Sequence, residues 1–90
     1  MKWAETTQDI QHLCDMSKRL SDALLLGSFN ISVRLRGGRE LTGRFSARHG
    51  ENNGGRGGQW HYGETVTIQT ADDRREEIDI LDIVAVSAVR

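Results

Sequence analysis

Arginines at alternate positions in the middle of the chain are the side chains whose spacing best suits chemistry. Arg34 and Arg36 interleave with Ile31, Val33 and Leu35, and Arg44 and Arg48 interleave with Leu41, Gly43, Phe45 and Ala47. Successive side chains of a strand point to opposite faces. An extended hairpin over residues 31–48 therefore buries one oily face and presents four arginines on the other, among Ser32, Glu40, Thr42 and Ser46. The guanidinium is a planar fork that matches phosphate. Arg56 follows within a Gly-Gly-Arg-Gly-Gly run, with Trp60, His61 and Tyr62 close behind. Aromatic rings beside arginines can stack unpaired bases. The candidate nucleic-acid site is thus Arg34, Arg36, Arg44, Arg48 and Arg56, with Trp60 or His61 as the stacking group. Trp60 and Tyr62 share the parity of Val66 and Ile68, so at least one is expected in the core, and His61 in water.

Catalytic chemistry finds less support. His49, Glu51 and His61 could meet as metal ligands or as an acid–base pair, but glycine-rich surroundings position ligands poorly and the spacing fits no closed metal motif. The H-x-E of zinc deaminases also needs P-C-x-x-C, and this chain has no proline and one cysteine. No Gly-Lys-Ser/Thr follows the glycine run, so it is no phosphate-binding P-loop. His12 falls on the polar side of its helix. The expectation is a non-enzymatic chain with no metal and no cofactor.

Charge is sorted along the sequence. Residues 34–61 hold six arginines against two acids, a local net of +4, while the remainder holds six Lys/Arg against eleven acids, a net of −5. The balance of −1 over 90 residues therefore conceals a basic centre with acidic flanks. Such a centre steers an anionic partner. Alternatively, acids of the 72–82 segment neutralise the arginines within the fold or across a subunit contact. A hydrophobic fraction of 37% and a charged fraction of 28% suit one small globular domain spanning 1–90. No 18-residue apolar run and no leader pattern is seen, and Cys14 has no second cysteine to pair with, so a cytoplasmic, membrane-free protein is expected.

The elements that must position these residues are one helix and five strands. Ile10, Leu13, Cys14, Leu20 and Leu24, with Ser17 and Ser21, make a stripe of period 3.6. Thr6 or Thr7 is the N-cap, Asp9 sits in the first turn, and Gly27 is the stop. Cys14 reads as a buried small hydrophobe, with a reactive thiol as the alternative. Met16 and Leu25 lie off the stripe's centre. Beyond Phe29 the period changes to two. Strands are expected near 30–36, 39–48, 60–70, 75–80 and 83–89, with Gly37-Gly38 as a tight turn and residues 50–59 as a mobile glycine-rich loop. Leu81-Asp82 breaks the alternation and marks a corner. Five short strands manage their exposed edges best as a strongly bent sheet closing into a small barrel, and Gly43 suits the bend. The fold class expected is mostly β with an N-terminal helix: a five-stranded antiparallel, SH3-like barrel.

The run from Ile31 to Phe45, with Ile31, Val33, Leu35, Gly38, Leu41 and Gly43 at the marked positions, resembles the first motif of the Sm-like family. Ile78–Val86 resembles the strand-corner-strand of its second motif. The resemblance implies an N-terminal helix, a five-stranded barrel, and assembly into rings of roughly five to seven subunits through the edges of the fourth and fifth strands. It also shows departures. Arg48-His49 stands where the family has acidic and Asn residues, and Leu81-Asp82 replaces the family's Arg-Gly or Lys-His at the corner. Those are RNA-contacting positions in the family, so the likeness carries the fold over and not the usual RNA pocket.

Association has separate support, because Ile78, Ile80, Ile83, Val84 and Val86 form a run more apolar than a strand with one wet face requires. They are the expected oligomer interface. The alternative is that the chain's own helix covers them.

Overall fold

The computed structural model describes residues 1–26 and 29–89. Gly27, the expected helix stop, lies outside the described residues. The chain runs through a helix α1 (Thr7–Leu25) and five strands: β1 (Asn30–Leu35), β2 (Glu40–Asn52), β3 (Tyr62–Gln69), β4 (Arg75–Asp79) and β5 (Ile83–Ala88). The strands form one antiparallel sheet in the order β4-β3-β2-β1-β5. β4 and β5 are not paired to each other. A 3₁₀ turn, Ile80–Asp82, joins them at the expected corner, where the Asp79 carboxylate accepts the Leu81 N–H.

Two features give β2 its bend. At Gly43, a Cβ would stand 2.8 Å from Ile68 Cγ2 and closer still to the Gln69 carbonyl oxygen, so the strands can approach this closely only where no side chain intervenes. Just beyond, the β2–β3 register slips between Phe45 and Ala47, leaving Ser46 as the extra residue of a bulge. The β1–β2 turn has positive φ at both Gly37 and Gly38, as the sequence led one to expect.

The core joins both layers. Met16, Leu20 and Ala23 of the helix are buried against Ile31, Val33, Leu41, Val66, Ile68, Ile78, Ile80 and Ile83. Full burial of an Ile side chain contributes about 2 kcal/mol, against roughly 0–1 kcal/mol for an exposed ion pair, so the core outweighs the surface charges in holding the fold.

Leu13, Leu20 and Leu24 of the stripe pack on the core as expected, but the helix is turned somewhat from the orientation the whole stripe suggested. Ile10 is 43% exposed and Cys14 is exposed, whereas Met16 and Ala23, off that stripe, are buried. Anchors outside the hydrophobic pattern account for this. The His12 Nε2 lies 2.7 Å from the Ile83 carbonyl oxygen, so the ring assigned to the polar face is half-buried and fastens the helix to the start of β5. The N-cap is Thr6, whose Oγ1 accepts the Asp9 N–H at 3.0 Å.

The second hairpin is longer than expected. The β2–β3 ladder continues to Asn52↔Tyr62, and its tip is fastened rather than open. Asn53 Oδ1 accepts from the N–H groups of both Gly55 and His61, and its amide donates to the Gln59 carbonyl. Trp60 and Tyr62, of which at least one was expected in the core, are 58% and 52% exposed, because this part of the hairpin projects past the helix and core. Gly43→Val is expected to cost roughly 1–3 kcal/mol of stability in urea denaturation, through forced separation of β2 from β3. Cys14 is expected to react with Ellman's reagent in the folded protein, to one thiol per chain without denaturant.

Candidate nucleic-acid interface

The bulge at Ser46 decides which arginines share a face. Before it, Glu40, Thr42 and Arg44 point outward, beside Arg34, Ser32 and Asn30 of β1. After it the parity inverts. Arg48 pairs with Val66, on the core-facing parity, and lies on the helix side of the sheet. This corrects the expectation of four arginines on one face: strict alternation cannot register one extra residue. Arg48 donates to the hydroxyls of Ser17 and Ser21 and, at 2.8 Å, to the Glu64 carboxylate. It is an internal brace between helix and hairpin.

Arg36 is also engaged. Its N–H donates to the Asp82 carbonyl and its Nε to the Leu81 carbonyl, both at 2.8 Å. Arg39 grips both oxygens of Glu76 at 2.7 and 2.9 Å. Together these bonds tie the β1–β2 turn to the β4–β5 corner. Arg34 stays on the outer face, 3.5 Å from Glu40, with both side chains more than half exposed. A pair of that kind is worth about 0–1 kcal/mol, too little to withhold the guanidinium from a phosphate.

Arg44 and Arg56 have no ion-pair partner among the described residues. Arg44 borders a shallow outer-face hollow with Asn30, Thr42, Gln69, Thr70 and Asp73. Arg56 sits in a 3₁₀ turn at the hairpin tip, Arg56–Gly58. The Trp60 indole lies close over Gly55, where a Cβ would come within 3.1 Å of the ring. The structure thus groups Arg34 with Arg44 on the outer face, and Arg56 with Trp60 and a half-buried His61 at the tip, and takes Arg36 and Arg48 into internal bonds.

His49 and Glu51 follow the bulge onto one side of β2 and meet at 2.7 Å, both exposed. Among the described residues, no three His, Cys, Asp or Glu side chains converge as metal ligands would. Of the expected interface residues, Ile78, Ile80 and Ile83 are enclosed in the chain's own core, Val86 packs partly against it, and Val84 is 40% exposed. Sequence reasoning missed Arg39 as a cross-sheet tie; its sign and its place at the hairpin turn were visible, but not which acid it would reach. No helix among the described residues is long and apolar enough to cross a membrane.

No family model and no curated protein matches the sequence. A solved structure does: the crystal structure of XC5848 from Xanthomonas campestris, described as adopting a novel variant of the Sm-like motif, is 17% identical. The match covers 99% of this chain and 94% of that one, with a TM-score of 0.71. An N-terminal helix, a bent antiparallel sheet ordered β4-β3-β2-β1-β5 and a 3₁₀ corner before β5 are therefore a divergent form of the Sm-like fold.

Proposed function

We propose that this chain is a non-enzymatic Sm-like binding module that works as a homo-oligomer and takes single-stranded RNA as its ligand. The observation that carries the reading is the hairpin tip, where Arg56 has no ion-pair partner among the described residues and Trp60 is 58% exposed on a backbone fixed by Asn53. A fixed, half-exposed indole beside a free guanidinium is a stacking platform with a phosphate contact next to it. Arg44 and Arg34 extend the positive surface along the outer face. Self-association is supported by the two sheet edges, since no strand among the described residues pairs with the outer side of β4 or of β5. The unpaired Cys14 favours a cytoplasmic setting.

One observation favours a second reading, a protein-interaction module. Arg36, Arg39 and Arg48 bond to acids or carbonyls of their own chain, which engages half of the six arginines of the basic centre without any nucleic acid.

Fluorescence anisotropy with a labelled 12-nucleotide oligouridylate separates the two. RNA binding predicts an affinity that falls as salt rises, with a log–log slope of about −0.7 per phosphate contacted. The double variant R44E/R56E should bind at least about tenfold more weakly with a reduced slope, and Trp60→Ala should lose about 1–3 kcal/mol. No binding at low salt, or equal binding by the double variant, removes RNA and leaves the protein-interaction module.

A further inference from the structure

Four polar side chains stand in one row across the outer face. The registers Asn30↔Arg44, Arg44↔Gln69 and Gln69↔Arg75 align β1, β2, β3 and β4 at one level, and residues paired across antiparallel strands share a face. Arg44 and Arg75 therefore flank Gln69, one strand away on either side, and neither has an ion-pair partner among the described residues. Neighbouring strands lie about 4.8 Å apart, so the two arginine positions are about 10 Å apart. The β3–β4 turn ends this row. The Thr70 N–H donates to the Arg74 carbonyl at 2.8 Å and the Asp73 N–H to the Thr70 carbonyl at 3.1 Å. Asp73 alone among the described non-glycine residues has a positive φ, 61°, a conformation that Asp and Asn tolerate.

Asp73 is the unexpected charge of this surface. With Arg44, Gln69 and Thr42 it lines the outer-face hollow, of about 450 Å³. Arg74 is taken by Asp72 at 3.1 Å, and Asp73 has no ion-pair partner among the described residues, although Arg44 lines the same hollow. The Gln69 amide donates to Asp73 Oδ1 at 3.2 Å, which orients the carboxylate and leaves Oδ2 to accept. A carboxylate between arginines weakens their hold on phosphate, so phosphate contact alone does not account for it.

We propose that this hollow is a guanine-reading subsite, in which the Asp73 carboxylate accepts both donors of the base's Watson–Crick edge while Arg44 and Arg75 take the flanking phosphates. The inference rests on the RNA-binding reading above and deepens it to a base preference. Guanine presents two adjacent donors, N1–H and the 2-amino group, which match the two oxygens of a carboxylate. Uracil sets its single N–H between two carbonyls, and adenine and cytosine each place a ring lone pair beside the amino group. Each of those three turns an acceptor against Asp73, which costs the contact. The hollow is shallow, whereas sites for free small molecules enclose most of their ligand. It suits one base of a strand that is also held at its phosphates.

The anisotropy titration tests this when the oligouridylate is compared with the same 12-mer carrying one central guanosine, inosine or adenosine. At equal salt the guanosine strand should bind about tenfold more tightly than oligouridylate, the size of one bidentate base contact. Inosine, which lacks the 2-amino group, should lose most of that gain, and adenosine should show none. Asp73→Asn keeps a residue suited to positive φ, and should bring the guanosine strand down to the affinity of oligouridylate without weakening oligouridylate itself. Arg75→Glu should weaken all four strands alike. Equal binding of the four strands by the unaltered chain, or a guanosine preference that survives Asp73→Asn, overturns the subsite while RNA binding stands. No binding of any strand at low salt overturns both.

Discussion

The sharp bend of β2 is the constraint on which the other features depend. The five strands, of five to thirteen residues, bury one face against the helix, and their curvature is set where β2 passes Gly43 and the bulge at Ser46. Gly43 allows the close approach to β3. The bulge adds twist and inverts the parity of all that follows. Its consequence is chemical as well as geometric, because it takes Arg48 off the outer face and sets it beside the helix, against Ser17 and Ser21.

The sheet itself stays unclosed, and side chains bridge the gap. β4 and β5 do not pair, yet the β1–β2 turn is tied to their corner through Arg36, and to β4 through Arg39 and Glu76. His12 fixes the helix over the same corner. These contacts explain how a nearly neutral chain with a basic centre folds without a concentrated positive field: much of the charge sorting in the sequence serves internal bonding. What remains free lies at two places, the outer face around Arg44 and the projecting hairpin tip around Arg56 and Trp60.

The projecting hairpin and the β5 edge lie on different parts of the sheet. β2 and β3 carry the tip away from the core, whereas β5 is the end strand, next to β1 and under the helix. A module built this way can hold a ligand at the tip without giving up its edge. The fold itself is compatible with several uses, so the surface residues, not the bent sheet, carry the functional argument.

The element order was legible in the sequence because it rests on local rules. Period 3.6 up to Leu25, period two after Phe29, the Gly37-Gly38 turn, the break at Leu81-Asp82 and the cap at Thr6 each involve residues within a few positions of one another. The Sm-like pattern was legible for the same reason, since its marks are apolar alternation and two glycines. The tertiary structure alone decided which side of the helix is buried, which arginines stay free and how long the second hairpin runs. Each depends on residues distant in sequence: Ile83 for His12, Glu64 and Ser17 for Arg48, Glu76 for Arg39, and a one-residue bulge that leaves no trace in the alternation. Periodicity reports which residues could share a face, but only contacts between elements select the face that is buried.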